Sequence, residues 1–111
     1  MSLFSRWHDA MAARDVEAAA ACLHDDYTFI RHQAGTTMSR DDMLGMLKGM
    51  FANAGVVRHS HECVYENAEV LVERTVVDFP DGSRESVLSF TSLKDGLMFE
   101  SQTGATPLPR D

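Results

Sequence analysis

The stretch from Val56 to Val70, VVRHSHECVYENAEV, spaces two histidines, a cysteine and a tyrosine two residues apart. In an extended chain Val57, His59, His61, Cys63 and Tyr65 share one face. Val56, Arg58, Ser60, Glu62, Val64 and Glu66 share the other, because side chains alternate along a strand. Imidazoles ionise near neutral pH, so two of them lining a pocket could carry protons to and from a bound molecule. The plain alternative is a pair of packed, hydrogen-bonded histidines on a half-apolar strand. A metal would need a third donor such as His32 or Glu73, and nothing in the spacing demands one, so no metal site is assigned. Two arginines on strand-like segments add to the candidates. Arg31 could bind an anion or pair with an acid at a rim. Arg74 stands among valines and needs a partner, either a ligand carboxylate or an acid of a second subunit.

These residues need a frame to position them. The 111 residues suit a single domain spanning residues 1–111, and 44% of them are apolar, enough for a core. The formal charge of −7, from 17 acidic and 10 basic residues without a basic cluster, argues against nucleic-acid binding. No apolar run is long enough to cross a bilayer, and MSLFSRWHDAM carries Arg6, His8 and Asp9 where a signal peptide would be apolar. A cytoplasmic location is the expectation, with Cys22 and Cys63 reduced and buried.

The first half reads as helical. Leu3, Phe4, Trp7, Ala10 and Met11 recur at helical spacing behind Ser2 as N-cap, and Asp15 caps a short helix carrying Val16, Ala19, Ala20 and Leu23. Tyr27–Gln33 reads as a strand and QAGTT as a loop. Ser39 and Asp42 form a variant capping box for a helix whose Met43, Leu44, Met46, Leu47, Met50 and Phe51 are apolar. The methionines read as core filling, with a pliable pocket wall as the alternative. Gly45 and Gly49 on that helix suggest close approach of another element. Period-two patterning then predicts strands over Val56–Glu66, Ala68–Phe79, Ser83–Leu93 and Leu97–Ala105, separated by Asn67, Pro80-Asp81-Gly82 and Lys94-Asp95-Gly96. Short turns between long strands mean an antiparallel meander, and strands of this length must twist and curl. Both faces of the meander carry apolar residues, so one should meet the helices and the other a second copy of the chain. The tail TPLPRD is expected to be irregular.

The order of elements resembles the NTF2-like superfamily, which includes ketosteroid isomerase, scytalone dehydratase and the SnoaL-like polyketide cyclases. The residues that carry the resemblance are the helix with Trp7, then ARDVEAAAACLHDDYTFIRHQ, then the Ser39 helix and the meander. It implies an α+β cone: three helices from the N-terminal half packed on a strongly curved antiparallel sheet, with a pocket at the open end. Trp7 would then look into that pocket from the first helix. The acids and tyrosine of ketosteroid isomerase do not carry over. Its tyrosine falls on Trp7, its base near Arg31 or His32, and its second acid around Leu88 or Ser89. The function expected is binding of a small organic ligand, with His32, His59 and His61 as candidate catalytic residues. Trp7, Tyr27, Arg31, Tyr65 and Arg74 are the candidate ligand contacts. The chemistry would be an elimination, isomerisation or cyclisation without an external cofactor. A non-catalytic homodimeric module joined through the sheet is the alternative.

Overall fold

The computed structural model describes residues 2–32 and 34–109. Three helices, α1 (Leu3–Ala13), α2 (Val16–Ala20) and α3 (Arg40–Phe51), accompany six strands: β1 (Leu23–Arg31), β2 (Thr36–Ser39), β3 (Val57–Glu66), β4 (Val70–Asp78), β5 (Arg84–Lys94) and β6 (Leu97–Leu108). The strands form one sheet in the order β2-β1-β6-β5-β4-β3, antiparallel throughout except where β1 runs parallel to β6.

Each helix starts where a side chain can accept an otherwise unpaired backbone N–H. Ser2 accepts from the Ser5 amide, Asp15 from Glu17 and Ala18, and Ser39 and Asp42 close the reciprocal box ahead of α3. α1 stops at Arg14, whose left-handed backbone (φ 52°) lets its own amide reach back to the Ala10 and Met11 carbonyls. The Arg14 guanidinium then donates to the carbonyls of Met50 and Phe51 in the last turn of α3, to that of Asn53 just beyond it, and to that of Val56 at the approach to β3. One cation thereby joins the end of α1, the negative end of the α3 dipole and the first meander strand. Gly55 is required at that junction, since a Cβ there would sit 2.9 Å from the Pro80 ring.

The core lies between the helices and one face of the sheet. Leu3, Trp7, Ala10 and Met11 of α1 and Met43 and Leu47 of α3 pack with Tyr27 and Phe29 of β1 and Met98 of β6.

Several expectations need correction. Thr36 and Thr37, read as the end of a loop, instead open a strand (Thr36–Ser39) pairing with β1, because Gly35 at φ 66° closes a turn onto His32 and the β-branched threonines then extend. β1 begins at Leu23 rather than Tyr27, with a register shift between Leu23 and Thr28 that exposes Asp25 and Asp26. Gln33, the expected end of that strand, lies outside the described residues. β6 runs through Pro107 to Leu108 and pairs with β5. β1 ends opposite Thr103, so beyond it β6 has an open flank on which a missing N–H breaks no ladder bond. Arg110 and Asp111 lie outside the described residues. Gly45 and Gly49 approach nothing: a Cβ on either would meet open space. Cys22 is buried as expected, but Cys63 is exposed.

Candidate functional site

The sheet register decides which side chains can meet. Tyr27, Phe29 and Arg31 of β1 face the helices; so do Ser101, Thr103 and Ala105 of β6, Val87, Ser89 and Thr91 of β5, and Glu73, Thr75 and Val77 of β4. One row crosses the sheet as Arg31, Thr103, Ser89, Glu73. Between this face and the helices lies a cavity of about 250 Å³, walled on the helical side by Trp7 and Met11 of α1 and Met43, Met46, Leu47 and Met50 of α3. Exposure runs from Arg31 and Ala105, which are open to solvent, to Tyr27, Glu73, Thr91 and Ser101, which are buried at the closed end.

Strand β3 breaks the simple alternation. Arg58 pairs with Val77 and Ser60 with Val76, so His59 is an extra residue in a bulge. A second shift between Cys63 and Tyr65 makes Val64 an extra residue too. As a result Arg58 and His61 enter the cavity while His59 leaves it. Of the shared face expected for His59, His61, Cys63 and Tyr65, only His61 and Cys63 remain together, opposite Thr75 and Glu73, and the two-histidine metal arrangement built on that face is lost. Among the described residues no three His, Cys, Asp or Glu side chains converge as a metal site.

His61 donates from or accepts at both ring nitrogens. Its Nε2 lies 2.6 Å from Oε1 of Glu73, and the two side chains are 6% and 5% exposed. Its Nδ1 lies 3.0 Å from Nδ1 of His8 on α1. Phe4 lies against both rings, with centroids 5.7 Å from His8 and 4.8 Å from His61. The other carboxylate oxygen of Glu73, Oε2, makes no hydrogen bond among the described residues. A buried carboxylate is costly unless held by donors, and here one oxygen is held by His61 in a side chain that lines the cavity.

The neighbours of Glu73 complete the electrostatics. Burial first, then the nearby Glu73 charge, pushes the Tyr27 hydroxyl up to about 12 against the opposing pull of a Ser101 hydrogen bond. Tyr27 is therefore a neutral hydrogen-bond donor at any physiological pH. Behind it the Thr91 and Ser101 hydroxyls are 2.7 Å apart. Burial and the Arg14 charge lower the Arg58 pKa, while Glu73 opposes them. Arg58 stays a cation, since guanidinium does not lose its proton in proteins.

The candidates from sequence thus divide. His61, Trp7, Tyr27 and Arg31 line the cavity. His59 lies on the outer face, 2.6 Å from Asp78, which Arg84 also binds at 2.6 Å. His32 is exposed and bonds Gln102 at 3.0 Å. Tyr65 is exposed on the outer face, and Arg74 pairs there with Glu62 at 2.9 Å within the same chain. Bulges and register account for these corrections. Glu73, His8 and Arg58 were not singled out as catalytic or ligand-binding. For Glu73 a signal existed: it shares a parity with Glu69, Leu71, Thr75, Val77 and Phe79, a carboxylate with apolar residues on both sides along that face. For Arg58 none existed, because its inward turn depends on the bulge.

Comparison with known proteins agrees with this architecture. The family model of the SnoaL-like domain matches residues 4–100. No curated protein is significantly similar in sequence. Among solved structures, a proposed ketosteroid isomerase from Kribbella flavida DSM 17836 superposes with a TM-score of 0.75 at 17% identity, over 98% of this chain and 78% of that one. An NTF-2 like protein of unknown function from Burkholderia xenovorans LB400 gives 0.76 at 14% identity, over 98% and 84%. IdmH, a proposed polyketide cyclase from Streptomyces antibioticus, gives 0.74 at 15% identity, over 93% and 88%. At such identities the likeness speaks for the fold alone. With the family match over most of its length and the α+β cone in common, the chain belongs to the SnoaL-like domain family within the NTF2-like superfamily.

Proposed function

We propose that this protein binds a compact, mostly apolar organic molecule in the cone and moves a proton on it without an external cofactor. The observation that carries this reading is the Glu73 carboxylate at the closed end of the cavity, one oxygen fixed by His61 and the other free to reach a ligand. Glu73 Oε2 would take a proton from carbon beside a carbonyl. Tyr27 would donate a hydrogen bond to the oxygen on which negative charge develops, and Arg58 would balance that charge. Trp7 and the methionines of α3 supply an adaptable apolar wall. Arg31 stands at the mouth, where it can receive an anionic substituent. His61 holds and orients the base. The reaction class is isomerisation, elimination or cyclisation. A cavity of about 250 Å³ is near the small end of the roughly 300–1,000 Å³ usual for ligand sites, which favours a small substrate.

The test is a thermal-shift screen with small ketones and phenols. A ligand that binds only the folded state raises its melting temperature. The rise is expected in the wild type and absent in Ser89→Phe, which fills the cavity and leaves Glu73 intact. Equal shifts in both proteins would place binding elsewhere.

A second property rests on the outer face of the sheet, where Leu88, Phe90, Val64 and Tyr65 are about half exposed. We propose that two copies associate through this face, in a cytoplasmic homodimer. Phe90→Glu would then yield monomers by light scattering at concentrations where the wild type is dimeric. A monomeric wild type would contradict it. If the screen finds no ligand while the dimer forms, the non-catalytic module is the better reading.

A further inference from the structure

A second cavity, of about 340 Å³, lies on the other side of His61, lined by His8, Met11, Ala12, Arg14 and residues 57–61. His61 lines both cavities. Glu73, His61 and His8 are joined in series, at 2.6 Å and 3.0 Å, and Nε2 of His8 makes no hydrogen bond among the described residues. A contact between two Nδ1 atoms at 3.0 Å requires a single proton between them: none leaves two lone pairs facing, two leave N–H groups in collision. The shared proton can belong to either ring, so the contact can be crossed.

We propose that His8 is the solvent port for the Glu73 proton, and that Glu73, His61 and His8 form a wire from the ligand cavity to the second cavity. This rests on the proton-transfer role proposed for Glu73. Inward, Nε2 of His8 takes a proton from hydronium, leaving water, or from water, leaving hydroxide. The Nδ1–H bond of His8 breaks as one forms at Nδ1 of His61. The Nε2–H bond of His61 then breaks as an O–H bond forms at Oε1 of Glu73. One proton enters at His8 and one appears on the carboxyl, with no change in electron count. Outward transfer is the reverse. A half-turn about the Cγ–Cδ bond of Glu73 exchanges the oxygens between ligand and wire. One inward passage returns a proton to Glu73 after the carboxyl has given its own to a ligand, while a ligand or product still closes the cone, and a second passage in the same sense first requires both imidazoles to change tautomer. His8 touches no substrate in this scheme and acts through His61.

The experiment needs no substrate. In protein labelled with ¹⁵N-histidine, the Nε2 proton of His61, assigned by its loss in His61→Phe, is followed for exchange with water. His8→Phe keeps a ring against Phe4 and interrupts the wire. Exchange is expected to slow at least tenfold in His8→Phe, with the melting temperature within a few degrees of wild type. In His8→Ala, added imidazole is expected to restore the rate in proportion to its concentration. Exchange in His8→Phe within twofold of wild type, or faster, overturns the proposal, as does His8→Ala exchange that ignores imidazole. Should the wire fail this way while ligands still bind the cone, the reading of Glu73 as the base stands. Loss of ligand binding with the exchange effect intact would instead remove that reading.

Discussion

Nε2 of His61 and Oε1 of Glu73 stand 2.6 Å apart, with both side chains more than nine-tenths buried. β3 reaches this contact only because the extra residue at His59 rotates the strand by one position before His61. A buried carboxylate deprived of its donor is expensive, whereas removing both partners leaves no orphan. His61→Leu alone is therefore expected to cost about 3 kcal/mol, and the double variant His61→Leu/Glu73→Leu appreciably less than the sum of the singles. Urea unfolding of the four proteins gives the coupling. A coupling near zero would mean that the contact does not hold the carboxylate.

Tyr27 gives a pH prediction. Its hydroxyl is raised from 10.0 to about 12 in the folded chain, mainly by burial. Between those values the unfolded chain has lost the proton and the folded chain keeps it. Stability from this group is thus fully present below pH 10 and is lost as pH rises toward 12. The loss is on the order of 2–3 kcal/mol, from about 1.4 kcal/mol per unit. Tyr27→Phe should flatten the slope of stability over that window. The phenolate absorbance missing from Tyr27→Phe should belong to the high end of the titration. Ionisation of that hydroxyl near pH 10 would contradict its burial.

α3 carries Gly45 and Gly49 with open space where each Cβ would be. Nothing in the chain compensates for their flexibility. Gly45→Ala and Gly49→Ala are each expected to stabilise by about 0.5–1 kcal/mol, read as a rise in the urea midpoint with an unchanged slope. A loss of stability would show that some other surface packs on this side of the helix.

The parts of the fold governed by local rules were legible in the sequence. Ser2, Asp15 and Ser39 announce helix starts because a side-chain oxygen at those positions satisfies nearby amides. Asn67, Gly82 and Gly96 mark the meander turns, and Gly82 and Gly96 do adopt positive φ. The site was less legible. Parity arguments assume unbroken alternation, and the bulges at His59 and Val64 break it twice within one strand. No residue there is a glycine or proline that would announce them. Hence His59 and Tyr65 were placed with His61 and lie outside the cone, while Arg58 was placed outside and lies within. His8 could not be paired with His61 because the two are 53 residues apart, and helix packing alone brings them together. Glu73 was the readable exception, an acid among Leu71, Val77 and Phe79 on one strand face.

The central claim is that Glu73 transfers protons to and from a molecule held beside Trp7. Trp7 is the sole tryptophan of the chain and lines the cavity, so its fluorescence reports occupancy independently of chemistry. With a ketone found to bind in the thermal-shift screen, the measurement is deuterium incorporation at the carbon beside its carbonyl in D₂O, followed by proton NMR. Wild-type protein is expected to accelerate that exchange, and Glu73→Gln to lose about 100-fold of the acceleration while still quenching Trp7 fluorescence on binding. Exchange at the wild-type rate in Glu73→Gln, with the ketone bound, would contradict the claim.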